Sequence, residues 1–141
     1  MIKMKVIDAE NMVLGRLAQH VAKQALLGHK VAVVNTEKAV ITGNKRTILE
    51  KYKHRRERGA PRTGPFFPRL PERIFKRTVR GMLPYKKPRG REAFKNIMCY
   101  HGIPNDLQDK KIEKIDEFDI KHKNVSYTNV LTISKELGAK V

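Results

Sequence analysis

Tryptophan is absent from the 141 residues, cysteine occurs once, and only nine residues are aromatic, four Tyr and five Phe. A lone Cys99 excludes a disulfide framework and cannot build a structural zinc site. The five histidines (His20, His29, His54, His101, His122) stand at no ligand spacing, and the basic part of the chain holds no paired carboxylates suited to acid/base work. No catalytic or metal-ligating residue and no cofactor are therefore expected. No stretch approaches the roughly 20 apolar residues of a membrane helix, and Met1-Ile2-Lys3-Met4-Lys5-Val6-Ile7-Asp8 lacks an apolar signal core. The chain reads as soluble and cytoplasmic, with no membrane contact. Hydrophobic residues make up 40%, below the usual share of about 45–50%, so one modest core is expected at this length.

Positive charge is what the chain has in excess. Thirty-one Lys and Arg face fourteen Asp and Glu, a net charge of +17. The excess is concentrated: residues 44–95 carry eighteen Lys or Arg against four acids, whereas residues 96–141 carry seven of each. Six of the nine aromatics and six of the seven prolines lie in the same basic stretch. A merely solvated helix face mixes signs at i, i+4 spacing. This stretch does not, and a phosphate backbone with occasional ring stacking is its natural complement.

Hydrophobic periodicity outlines a small α/β domain. Met4–Asp8 reads as a short strand, and Leu14, Leu17, Val21, Ala25 and Leu26 form a helical stripe with Gly28 as its stop. Val31–Val34 is an apolar run suited to a strand covered on both faces. A turn at Asn35–Lys38 leads to a strand at Ala39–Ile41, and Thr42-Gly43-Asn44 opens a helix over 44–57. Residues 58–71, rich in Gly and Pro, read as a basic extended insert. Pro71 starts a helix with Ile74, Phe75, Thr78 and Val79 inward. A short helix at Gly90–Asn96 and a strand at Ile97–Tyr100 follow. Beyond 104 the balanced charge marks an extension, 105–141, with a strand at Val125–Leu131 and a helix at Thr132–Leu137. Its many large apolar residues predict that it packs on the domain or on a neighbouring protein and does not lead nucleic-acid recognition. The order of elements argues a largely parallel sheet.

Thr42-Gly43-Asn44-Lys45-Arg46-Thr47 lacks the earlier Gly and the Gly-Lys pair of a nucleotide P-loop. A helix N-terminus flanked by two cations can still bind a phosphate, against the plainer reading of a capped helix. Gly15 follows the first strand without a glycine fingerprint and reads as a helix-packing position.

Val6-Ile7-Asp8-Ala9 and Leu14-Gly15-Arg16-Leu17-Ala18 resemble the opening of the universal large-subunit ribosomal protein thirteen family. Val33-Val34-Asn35, Ile41-Thr42-Gly43-Asn44-Lys45 and Tyr52 are similar to its next segment. Val79-Arg80-Gly81-Met82-Leu83-Pro84, Gly90-Arg91 and Tyr100-His101-Gly102 resemble its signature. The resemblance runs from about residue 4 to 104, and the basic loop and tail resemble the archaeal and eukaryotic branch. It implies a three-layer α/β/α domain with a mostly parallel four-stranded central sheet. It also implies large-subunit ribosomal RNA as partner, neighbouring ribosomal proteins, a role in assembly and translation, and no small-molecule substrate. The RNA-binding candidates are Asn35, Lys38, Thr42, Gly43, Asn44, Lys45, Arg46, Lys51, Arg55, Arg56, Arg58, Arg62, Arg69, Arg73, Arg77, Arg80, Gly81, Lys86, Lys87, Arg89 and Arg91. The competing functions are a free-standing basic RNA-binding protein and an RNA-modifying enzyme.

Overall fold

Strand β1 (Met4–Asp8), helix α1 (Leu14–Leu26) and strand β2 (Lys30–Val34) make the first unit of the fold; a computed structural model describes residues 3–141. β1 and β2 pair in parallel, from Met4 opposite Lys30 to Asp8 opposite Val34. The helical stripe of α1 turns Leu14, Leu17, Ala18, Val21, Ala22 and Ala25 onto this pair, the burial pattern expected of an amphipathic helix on a sheet. Short strand β3 (Val40–Thr42) leads into α2 (Lys45–Glu57), and α3 (Pro71–Gly81) and α4 (Pro88–Lys95) follow. Both α3 and α4 begin on a proline, whose fixed φ suits the first helical position and whose missing N–H costs nothing there. The chain then forms β4 (Ile97–Cys99), β5 (Ile112–Glu113), β6 (Tyr127–Asn129) and α5 (Val130–Glu136).

The main sheet is four-stranded and wholly parallel, in the order β4-β2-β1-β5. Ile7, Val31, Val33 and Ile97 point to one face, where α1, α3, α4 and α5 supply Leu17, Val21, Phe75, Val79, Ala93 and Ile133. Val6, Ala32 and Val34 point to the other, under Leu107 from a 3₁₀ turn at Asn105–Leu107. The result is a three-layer α/β fold with one thick and one thin outer layer.

Three strands differ from the sequence expectation. β3 does not enter the main sheet; it pairs antiparallel with β6, Val40 opposite Asn129 and Thr42 opposite Tyr127. Only residues 35–39 separate β2 from β3, and a parallel neighbour needs a crossover of a dozen residues or more. The fourth strand of the main sheet is instead Ile112–Glu113, inside the 105–141 extension. The strand expected over Val125–Leu131 is confined to Tyr127–Asn129, and α5 takes over at Val130.

Extension residues are also woven into the core. Val130, Ile133 and Leu137 join the main apolar cluster, and Ser134 Oγ donates to the Arg69 carbonyl at 2.5 Å. The crevice where the strand order reverses, between β1 and β5, is where open parallel sheets commonly bind ligands. Here the chain itself fills it: Met12 bridges Asp119, and the N–H groups of Val13 and Ile120 donate to the Phe118 and Asn11 carbonyls at 2.9 Å.

Candidate nucleic-acid interface

The basic stretch folds into α2, the segment 58–70, α3 and α4, and residues of these elements line an open groove of about 1250 Å³. α2 buries only Ile48 and Tyr52, so its remaining faces are free to carry cations. α3 buries Ile74, Phe75 and Val79, which turns Arg73, Lys76, Arg77 and Arg80, spaced by three and four residues, along one wall. Lys51, Arg55 and Arg58 stand on the opposite side. Seven cations line the groove, and no acid is among its lining residues. Its floor holds Val13, Leu14, Gly15, Ile41 and Thr42, and its apolar sides hold Tyr52, Phe66, Phe67, Tyr85 and Phe94.

Several of these cations are held over rings. The Arg55 guanidinium lies 5.4 Å from the Tyr52 centroid and 5.5 Å from that of Phe67, and these two rings pack edge to face at 5.7 Å. Arg80 lies 4.6 Å over Tyr85, and Lys76 Nζ lies 4.8 Å over Phe94. Such contacts fix long side chains in place while leaving their charge uncompensated by any carboxylate. Burial pushes the Tyr52 phenol up, against a smaller opposing pull from Arg55, so the ring stays neutral beside the cations. Arg56 is not among the lining residues; its Nη1 donates to the Phe67 carbonyl at 2.7 Å.

Of the candidates read from sequence, Thr42, Lys51, Arg55, Arg58, Arg73, Arg77, Arg80 and Gly81 come together in the groove. Others lie elsewhere. Asn35 is buried in a left-handed turn with φ 56°, and its amide donates to Asp8 Oδ1 at 3.0 Å. Lys38 pairs with Glu10 at 3.5 Å.

At the start of α2, the Asn44 side chain accepts from the Arg46 N–H at 2.9 Å, and the Gly43 N–H donates to the Ser126 carbonyl at 2.8 Å. Two of the donors a phosphate would need are thus engaged within the protein. Lys45 is exposed, and Arg46 faces Glu50 at 3.0 Å. Arg62 and Arg69 are exposed on the 58–70 segment. Lys86, Lys87, Arg89 and Arg91 form a second exposed cluster around the start of α4, where Arg91 Nη2 donates to the Lys86 carbonyl at 3.1 Å. That cluster depends on Gly90: a Cβ there would lie 2.1 Å from the Pro84 carbonyl oxygen, a distance no side chain tolerates.

Lys76 escaped the sequence reading, although it stands three residues from Arg73 and four from Arg80. Phe66 also escaped it, since a Gly/Pro-rich loop gives no period from which to orient a ring. Gly15 is not a packing position; it is exposed on the groove floor, and a Cβ would meet nothing within 4 Å. Burial pushes the Cys99 thiol up to about 12, which keeps it protonated and unreactive at neutral pH.

No helix among the described residues is long and apolar enough to cross a membrane. The family model for Ribosomal protein L13 matches residues 2–106. The large ribosomal subunit protein uL13 of Methanopyrus kandleri is 51% identical over 136 residues, covering 94% of this chain and 86% of the relative. The protein of the same name in Archaeoglobus fulgidus is 47% identical over 135 residues, with 94% and 86% covered. That of Methanocaldococcus jannaschii is 48% identical over 143 residues, with 97% and 99% covered. On these matches the chain belongs to the ribosomal protein L13 family, and it is a structural component of that kind and not an enzyme.

Proposed function

We propose that this protein is a structural constituent of the large ribosomal subunit, in the cytoplasm, and that it binds and organises large-subunit ribosomal RNA during assembly and translation. The observation that carries the RNA reading is the groove between α2 and α3, lined by seven cations and no acid. Phosphates are the ligand such a surface discriminates least by sequence and holds most strongly at low salt. Arg73, Arg77 and Arg80 lead the contact, with Lys51, Arg55, Arg58 and Lys76 facing them. Lys86, Lys87, Arg89 and Arg91 extend the same sign of charge beyond the groove, and Arg62 and Arg69 carry it along the insert. The N-terminus of α2 contributes Lys45 and Arg46 as surface charge, since its cap is already engaged.

Residues 105–141 take a different part. Their balanced charge and the exposed Val125 and Tyr127 suit contact with a neighbouring ribosomal protein more than with phosphate. The test is affinity of the full chain for large-subunit RNA fragments as a function of salt. Log affinity should fall linearly with log salt, by roughly 0.7–0.9 per phosphate contact; a flat dependence overturns the reading. Co-sedimentation with large subunits through a salt wash separates it from a free-standing RNA-binding protein, which would be stripped off.

A further inference from the structure

We propose that the α2–α3 groove receives an unpaired stretch of RNA, with a base stacked on Phe66, and not the uniform backbone of a duplex. This deepens the RNA reading above and rests on it. Charge alone would serve either form of RNA; the rings distinguish them.

Phe66 is 72% exposed, the most exposed of the large hydrophobic side chains among the described residues. It is also the one groove aromatic not committed to a protein cation or another ring: Tyr52 and Phe67 share Arg55, Tyr85 carries Arg80, and Phe94 carries Lys76. A solvent-facing phenyl ring is a poor neighbour for water and contributes nothing to this core. The chain nonetheless builds a support for it. The Gly64 N–H donates to the Ala60 carbonyl at 3.0 Å and closes a tight turn. At Gly64, with φ +77°, a Cβ would lie 3.0 Å from the Phe66 ring. With no side chain at Gly64, the ring lies back against the turn, among the residues that line the groove.

A paired RNA helix offers this ring nothing, because its base faces are stacked inside and its exposed surface is sugar and phosphate. An unpaired base has a free π-face, and stacking is tolerant of base identity. The neighbouring layout suits a strand entering the groove. Phosphates would meet Arg58 on one side and Arg73 and Arg77 on the other, within the same groove as the ring. The floor at Gly15 is open, which leaves depth for a base to enter.

The test uses the full chain and two labelled RNAs of equal length, an unstructured single strand and a blunt-ended duplex, with affinity read by fluorescence anisotropy over a range of salt. Phe66→Ala should weaken single-strand binding by about fivefold or more and leave duplex binding unchanged, and Phe66→Leu should fall between. Phe66 is exposed, so both variants fold, which their thermal unfolding verifies. Gly15→Leu, which fills the groove floor without removing charge, should weaken the single strand selectively as well. A 2-aminopurine in the strand should change its fluorescence on binding to the wild type and not on binding to Phe66→Ala. If Phe66→Ala is silent on both RNAs, or weakens both equally, while Arg77→Gln weakens both, the groove is a plain phosphate surface: this inference fails and the RNA reading stands. If neither RNA shows salt-dependent binding and Arg77→Gln is silent, both fail together.

Discussion

The middle third of the chain and its last third handle charge in opposite ways, and the difference separates surface from scaffold. Residues 44–95 hold a surplus of cations on helices that bury few residues each, with Ile48 and Tyr52 anchoring α2 and Ile74, Phe75 and Val79 anchoring α3. Little apolar area secures these helices, and most of their surface is left to a partner. Residues 105–141 have no net charge, supply the fourth strand of the sheet through Ile112–Glu113, pair β6 with β3, and bury Leu107, Ile120, Val130, Ile133 and Leu137. Self-repulsion among the cations of the middle opposes compaction. The tail offsets it with apolar contacts, and α5 packs against α2 and α3 themselves. The surface proposed to meet phosphate is held up, in part, by a segment that need not touch it.

Truncation after Asn105 should break this comparison most severely. Each of the five buried apolar side chains it removes contributes about 1.5–3 kcal/mol. Their sum is on the order of 10 kcal/mol, comparable with the whole stability of an ordinary domain, roughly 5–15 kcal/mol. The truncated chain should lose its cooperative thermal transition and, with it, RNA binding. A truncated chain that melts cooperatively near the full-length temperature would show the tail to be an ornament on a self-sufficient domain.

The converse experiment leaves the scaffold and removes the surface. Replacing Arg73, Arg77 and Arg80 together by Gln should lower the salt slope of RNA binding by about 2, three contacts at roughly 0.7–0.9 each. Thermal stability should fall by no more than about 1 kcal/mol, because the contact of Arg80 with the Tyr85 ring is the main packing interaction removed. Loss of stability in parallel with loss of binding would mean that these arginines secure α3 and do not serve a partner. A conservative exchange sharpens the point: Arg80→Lys keeps the charge but loses the planar group held over Tyr85, so a loss there would assign the contact to geometry and not to charge alone.

A smaller effect is expected at the start of α2. Lys45→Gln with Arg46→Gln removes two exposed cations, one of them already facing Glu50, at a helix start whose cap is satisfied by Asn44. Exposed ion pairs contribute at most about 1 kcal/mol, so stability should barely change. The salt slope should fall by less than it does for the groove variant. An equal or larger fall would move the centre of the RNA surface from the groove to this helix end.

How much of this was legible in the sequence depended on the distance over which each feature is encoded. α1 is written in a period of 3.6 that its own residues complete, β1 is a short apolar run with Val6 and Ile7 buried on opposite faces, and the basic middle is visible by counting. β3 misled as a member of the main sheet because its composition suits any strand; the five residues before it, too few for a parallel crossover, held the correction. Ile112–Glu113 is two residues long and has no period at all, so its place beside β1 is decided entirely by tertiary packing. Within the site, three of the four cations on α3 were found by spacing, and Lys76 completes the same face. Asn35 stands among the RNA-binding candidates, yet a left-handed turn directs its amide inward onto Asp8. Phe66 could not be placed, since exposure of a ring in an aperiodic loop is set by the turn beneath it.

The smallest expected effect concerns how the tail is seated, and it is read by pH. His20 on α1 packs edge to face on Phe118 of the tail, with centroids 5.9 Å apart. Burial holds the His20 imidazole below its ordinary value of 6.5, aided by Lys5 and Lys23, while Glu113 on β5 pulls the other way. The folded protein therefore favours neutral His20, and the unfolded chain takes up a proton there first as pH falls. Stability rises with pH wherever the unfolded state binds more protons. The contribution of His20 is complete above about pH 6.5 and is lost as pH falls from there through the lowered folded value. The ring is only partly buried, so solvent screening keeps the effect small. The wild type should unfold at a lower temperature at pH 5.5 than at pH 7.5, and His20→Gln should show a smaller difference between the two. Every contribution common to the two proteins cancels in that comparison. Parallel curves for the two proteins would mean that protonation of His20 does not disturb the Phe118 contact, and that the tail is held at this point by packing alone.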